Sequence, residues 1–91
     1  MFVVIAYDCT DDKRRLRVAK TLLDYGDRVQ YSVFEADLDK TLLKEMMQRL
    51  AQIINPQEDS VRIYHICQNC LAKTQFQGQG HLTQQETFFI I

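Results

Sequence analysis

Phe2-Val-Val-Ile-Ala-Tyr7 is a continuous apolar run that closes on Asp8. It is short and rich in β-branched and aromatic residues, so it reads as a strand buried on both faces and therefore central in its sheet. Thr10, Asp11 and Asp12 follow at once. They offer an N-cap and an acidic first turn, which suit the positive end of a helix dipole. The spacing predicts a helix from about Asp12 to Tyr25, with Leu16, Ala19, Leu22 and Leu23 on its buried face. Lys13, Arg14, Arg17 and Lys20 fall on the opposite face, and Arg15 lies at the border. Gly26 is read as the helix stop.

Arg28 to Leu38 alternates in the manner of a strand. It is either one bent strand or a short edge piece followed by a longer one. Asp39 can cap a second helix whose buried stripe is Leu43, Met46, Leu50, Ile53 and Ile54, ended by Asn55-Pro56. Ser60 to Ile66 is the next strand, and Cys67 to Cys70 reads as a turn. Lys73 to Phe76 reads as a short strand, Gly78-Gln-Gly80 as a break, and Thr87 to Ile91 as a last apolar strand. Strands alternating with helices give an α/β (α+β) domain, most simply ferredoxin-like βαββαβ with an extra C-terminal strand. An exposed Phe88 to Ile91 edge invites pairing, so residues 86–91 are expected to join the sheet of a second copy.

The chain has 91 residues, 46% of them hydrophobic and 25% charged, with a net charge of -1. One domain over residues 1–91 fits that length. Nucleic-acid binding would have to rest on local clustering of Lys and Arg. The strand pattern starts at Phe2, so neither a leader nor a membrane span is expected. The three cysteines lack a disulfide-framework spacing, which suits a reducing cytoplasm.

Asp8 stands out chemically. A carboxylate at the mouth of a central strand is rigidly held, and hard oxygen ligands suit Mg²⁺ or Mn²⁺. The plainer reading is a side chain that caps the turn. One carboxylate is too few for a two-metal site, but two copies across a dimer axis would change the count. Lys13, Arg14, Arg17 and Lys20 suit a phosphate backbone, with Arg15 and Arg28 as added contacts. The plainer reading is a solvated helix face. Cys67-x-x-Cys70 with His65 is an incomplete zinc set. A redox role would want the pair at a helix start after a strand, whereas a turn of two small buried residues is the simpler expectation. Tyr7, Tyr31 and Phe34 can stack on bases or fill the core, and Tyr31 and Phe34 would face opposite ways on one strand.

Val4-Ile-Ala-Tyr-Asp8 with Asp11-Asp12-Lys-Arg-Arg15 resembles the opening of the small CRISPR-associated endonuclease family, the second of the two near-universal Cas proteins. Tyr25-Gly-Asp-Arg-Val-Gln-Tyr-Ser-Val-Phe-Glu35 is similar to its central signature, and Asp59-Ser-Val-Arg-Ile-Tyr64 followed by Cys67 to its third block. The likeness runs from about Met1 to Lys73. It implies a ferredoxin-like homodimer whose C-terminal strand crosses to the partner. It also implies a role in acquiring new spacers, with the dimer bridging the Cas integrase and holding duplex DNA. Some members are metal-dependent nucleases on single-stranded RNA or duplex DNA. In them the aspartate that matches Asp8 binds the metal, one from each protomer. The family's supporting positions match Tyr7, Arg15, Arg17, Arg28 and Phe34. Cys9 departs from the more common aliphatic residue, and the tail from Gln75 to Gln85 is not distinctive. The competing expectations are a non-catalytic scaffold, a toxin-like ribonuclease or a regulatory ferredoxin-like module.

Overall fold

The computed structural model describes residues 1–80. The expected strand at residues 86–91 lies outside the described residues. The order is β1 (Phe2–Asp8), α1 (Asp12–Leu23), β2 (Asp27–Gln30), β3 (Val33–Asp37), α2 (Lys40–Ala51), β4 (Ser60–Ile66) and α3 (Gln68–Ala72). The four strands form one sheet in the order β2-β3-β1-β4, with every neighbouring pair antiparallel. This is the ferredoxin-like βαββαβ arrangement. The opening apolar run is indeed central, with Ile5 opposite Phe34 on one side and Ile63 on the other.

Alternation along β1 divides the molecule. Val3, Ile5 and Tyr7 join Phe34, Ala36, Val18, Leu22, Met46 and Leu50 in the main core beneath α1 and α2. Burying each large apolar side chain of that set contributes about 1.5–3 kcal/mol. Phe2 belongs to a smaller cluster with Leu71 of α3, flanked by Val4, Ile66 and Phe76. Both caps expected from sequence form. Asp11 accepts from the Arg14 N–H at 3.0 Å, and Asp39 from the Leu42 N–H at 2.8 Å.

Several expectations need correcting. In α1 the buried residues are Val18, Ala19, Thr21 and Leu22. Leu16 and Leu23 are 61% and 57% exposed. Small Ala19 and β-branched Val18 and Thr21 let the helix lie close to its neighbours, so the buried face is rotated away from the two leucines. The Arg28–Leu38 segment takes the second of its two expected forms, a short edge strand, β2, followed by the longer β3. It is a hairpin that turns at Tyr31-Ser32, with a bulge between Arg28 and Gln30. Cys67 to Cys70 is not a buried turn: Cys67 caps α3, Cys70 lies in its first turn, and both are exposed. Lys73 to Phe76 forms no strand. Gly26 does not end α1 by a left-handed turn, since only Gly78 has positive φ among the described residues. It is needed for space, because its backbone lies against that of Glu35 in β3.

Candidate metal and nucleic-acid site

Asp8 is the last residue of β1, exposed, and lies between buried Tyr7 and buried Cys9. Alternation puts it on the same face as Val4 and Ala6, the face of the sheet that α1 and α2 leave open. Ser60 of β4 is directly opposite Asp8, and Arg62 is opposite Ala6. Arg62 is therefore a diagonal neighbour of Asp8 on that face, a spacing of about 7–8 Å between backbones. Tyr64 lies two residues further along the same face. Sequence reasoning missed Arg62; strand alternation from Asp8's partner Ser60 was the signal that could have found it.

Arg15 holds the chain just beyond the carboxylate. Its Nε and Nη2 donate to the Cys9 carbonyl at 3.3 and 3.2 Å, and Nη1 pairs with Asp12 at 2.7 Å. That bifurcated contact fixes the peptide that follows Asp8. Tyr7 is buried, and burial pushes its phenol above the usual range. Its hydroxyl donates to the Tyr31 carbonyl at 3.0 Å, and the Arg28 guanidinium donates to the same oxygen from Nε at 2.9 Å and from Nη2. The Arg28 guanidinium also lies 5.8 Å from the Phe34 ring centre, and the Tyr7 ring centre is 6.2 Å from that of Phe34.

Phe34 has no exposed surface, so it meets no ligand directly in this structure. Tyr31, in contrast, is a hairpin residue and 90% exposed. Tyr7, Phe34 and Arg28 thus lock the β2–β3 hairpin beside the Asp8 end of β1. They lie on the helix side of the sheet, and the register does not join them to Asp8 on its own face.

The basic stripe also separates. Arg14 is taken up by acids, pairing with Asp59 at 2.7 Å and with Glu58 at 3.1 Å. The Asp59 side chain has no exposed surface, and it also accepts the backbone N–H of Thr10 at 3.1 Å and of Asn55 at 2.8 Å. Arg14 is therefore a strut between α1 and the loop before β4, which corrects its expected place on an open cationic face. Arg17 and Lys20 line a concavity with Arg49 of α2. Arg15 and Arg28 line another with Asp12, Leu16 and Ala19. Lys13 is exposed.

The Arg14 guanidinium beside Asp59 holds its carboxyl down at about 2, helped by the two backbone donors. An unfolded aspartate titrates near 3.9. The native state therefore binds fewer protons between those values, and stability falls as pH drops through that window. Asp59→Asn keeps an oxygen acceptor but removes the charge. It is expected to lower Tm by several degrees at pH 7 and to flatten the acid slope between about pH 4 and pH 2. Thermal unfolding against pH checks this, and an unchanged slope would assign the acid sensitivity to another carboxylate.

Could one Asp8 hold a metal? Magnesium commonly takes one or two carboxylates and keeps several waters. An exposed, rigidly based carboxylate fits that habit as half of a site. Among the described residues no three His, Cys, Asp or Glu side chains converge on one point. A complete protein-built cage is therefore not present in one described chain, and a second copy is the simplest source of a second carboxylate.

The βαββαβ sheet, with a carboxylate at the mouth of its central strand and cations on the helix behind, defines a small ferredoxin-like domain. Residues 1–74 match the family model of CRISPR associated protein Cas2. A CRISPR-associated endoribonuclease Cas2 of Chloroflexus aurantiacus is 44% identical over 91 residues, covering 100% of this chain and 98% of its own. The Cas2 endoribonuclease of Thermus thermophilus is 37% identical over 94% of this chain and 92% of its own. The crystal structure of Streptococcus pyogenes Cas2 at pH 6.5 superposes with a TM-score of 0.75 and 36% identity, over 86% of this chain and 100% of that one. The chain belongs to the Cas2 family, and by that membership it is a CRISPR-associated nuclease. No helix among the described residues is long and apolar enough to cross a membrane.

Proposed function

We propose that the chain is a metal-dependent phosphodiester endonuclease that works as a homodimer. Its substrate is single-stranded RNA or duplex DNA, and Asp8 from each copy is the metal ligand. The observation that carries this is the place of Asp8: exposed, at the end of the central strand, on the face that α1 and α2 leave open and at the end of it away from α3. Two copies meeting through that face would bring their Asp8 carboxylates towards one axis. Tyr64, half exposed on the same face, is an apolar body for such a contact. The related proteins named as endoribonucleases support RNA as substrate.

Bound Mg²⁺ or Mn²⁺ would polarise the phosphodiester and lower the pKa of an attacking water. The chain's own residues do the rest. Arg15 fixes the peptide after Asp8, so the carboxylate keeps its aim. Tyr7, Phe34 and Arg28 hold the hairpin beside it. Arg62 stands on the Asp8 face, where a cation can steady charge on the phosphate. The test is Mg²⁺-dependent cleavage of both substrates by the wild-type chain beside Asp8→Asn. Absence of metal-dependent cleavage, or a variant that cuts equally well, overturns the catalytic reading.

A second reading, a duplex-binding scaffold for the Cas integrase in spacer acquisition, is favoured by the shared concavity of Arg17, Lys20 and Arg49. It does not compete for Asp8. The double change Arg17→Glu and Lys20→Glu should weaken duplex binding at least about tenfold at moderate salt. It should also shrink the log–log salt slope by about one for each phosphate that the variant no longer neutralises. Binding titrations at several salt concentrations read both quantities, and unchanged affinity removes the surface from the scaffold reading.

A further inference from the structure

The end of the sheet opposite Asp8 carries a pair of thiols that the nuclease reading does not use. Strand β4 ends at Ile66, Cys67 follows with extended backbone, and α3 begins at Gln68. The Cys70 N–H donates to the Cys67 sulfur at 3.4 Å. Both cysteines are exposed, whereas Cys9 is buried. The two residues are three apart across the helix cap, and the backbone N–H of one already lies on the sulfur of the other, which keeps the two thiols close. A strand running into Cys-x-x-Cys at a helix start is also the arrangement that thiol–disulfide exchange uses.

We propose that Cys67 and Cys70 form a reversible dithiol–disulfide site that takes low-molecular-weight disulfides of the glutathione type as its substrate. The roles of the two sulfurs differ. The Cys70 N–H and thiol together pull the Cys67 thiol below its usual range, while the Cys70 thiol is pushed up by the same partner. Cys67 is thus the readier thiolate, and the thiolate is the nucleophile. Its sulfur attacks one sulfur of the disulfide, a mixed disulfide forms, and one glutathione leaves as thiolate and takes up a proton. The Cys70 sulfur, losing its proton, then attacks the Cys67 sulfur and expels the second glutathione. The protein dithiol is oxidised to a disulfide, and one disulfide is reduced to two thiols.

The closed ring would tie the cap of α3 to its first turn. Leu71, the next residue, is buried on Phe2. Oxidation therefore pins the helix over the Phe2 end of β1. Asp8 is at the other end of the same strand, six residues away or about 20 Å at roughly 3.3 Å per residue. The site is chemically separate from the nuclease reading and does not depend on it.

The experiment equilibrates the full chain in graded ratios of reduced to oxidised glutathione, quenches with a maleimide, and reads intact mass and labelled peptides. Wild-type protein is expected to lose two reactive thiols together, with loss of two hydrogens and no retained glutathione. Cys70→Ser should retain one glutathione on Cys67. Cys67→Ser keeps a good helix cap, so α3 persists. Its remaining thiol should react more slowly at pH 7 than Cys67 does in Cys70→Ser. Independent glutathione adducts on both wild-type cysteines, cross-links between copies, or thiols untouched at the most oxidising ratio would each overturn the proposal. So would co-purified zinc held by the pair.

Discussion

Asp8→Asn is expected to cut metal-dependent cleavage by more than about a hundredfold while leaving the fold intact. Loss of a residue that merely supports a metal ligand costs about 10–100-fold in affinity or activity. Asp8 is proposed as a direct ligand, and a homodimer loses two of them at once, so the larger end of that range is a floor. Asparagine keeps the size and one oxygen but removes the charge that a hard cation requires. The carboxylate is exposed, and surface changes away from caps and buried pairs usually alter stability by about 0.5 kcal/mol or less. Cleavage rates over a Mg²⁺ titration, with Tm measured alongside, separate the effects. A rate that recovers fully at high Mg²⁺ would limit Asp8 to metal affinity. A rate that never changes would return it to the plainer role of a turn residue.

Gly26→Ala should be the most damaging single methyl in the chain. A Cβ at that position would meet the Glu35 carbonyl oxygen, the Ala36 Cβ at 2.7 Å and the Glu35 carbonyl carbon at 2.9 Å. Two of these are backbone atoms of β3, which cannot swing aside as a side chain does. Ala36 belongs to the main core. Overpacking ordinarily costs about 1–3 kcal/mol, and clashes with backbone lie at or beyond the top of that range. For a domain of this size each kcal/mol moves Tm by about 4–8 °C, so a fall of about 12 °C or more is expected. Differential scanning calorimetry tests this, and a fall of only a few degrees would mean that α1 and β3 can part cheaply.

The parts of the fold legible in sequence were those governed by neighbours. The opening run, both aspartate caps and Met46 and Leu50 of the α2 stripe depend on residues a few positions apart, and all were found, although α2 ends at Ala51, before Ile53 and Ile54. The misread parts depend on distant contacts. Arg14 has the periodicity of a free cation, but its partner Asp59 lies 45 residues away. Leu16 and Leu23 outrank Val18 and Thr21 in hydrophobicity, but close approach favoured the smaller side chains. Phe34 is a site position by the family likeness alone, and the structure places it wholly in the core. Two pieces were legible in Arg28 to Leu38, but not where they turn, because Tyr31-Ser32 carries none of the glycine or asparagine that marks tight turns. At the candidate site, Asp8 stood out because strand, carboxylate and helix cap are consecutive, while Arg62 came into view only with the register of β4.

The central position of β1 has a consequence for synthesis. It leaves the ribosome before every other described strand, yet Phe2 pairs with Asp37 on one side and with Ile66 on the other. At about 5–20 residues per second, the nascent chain carries an unpaired apolar strand for several seconds before its second partner emerges. During that interval the segment that later buries most completely is the one most open to chaperones and to other nascent copies. The chain must therefore be whole through β4 before it can be safe, and truncations short of Ile66 are expected to aggregate rather than fold in part.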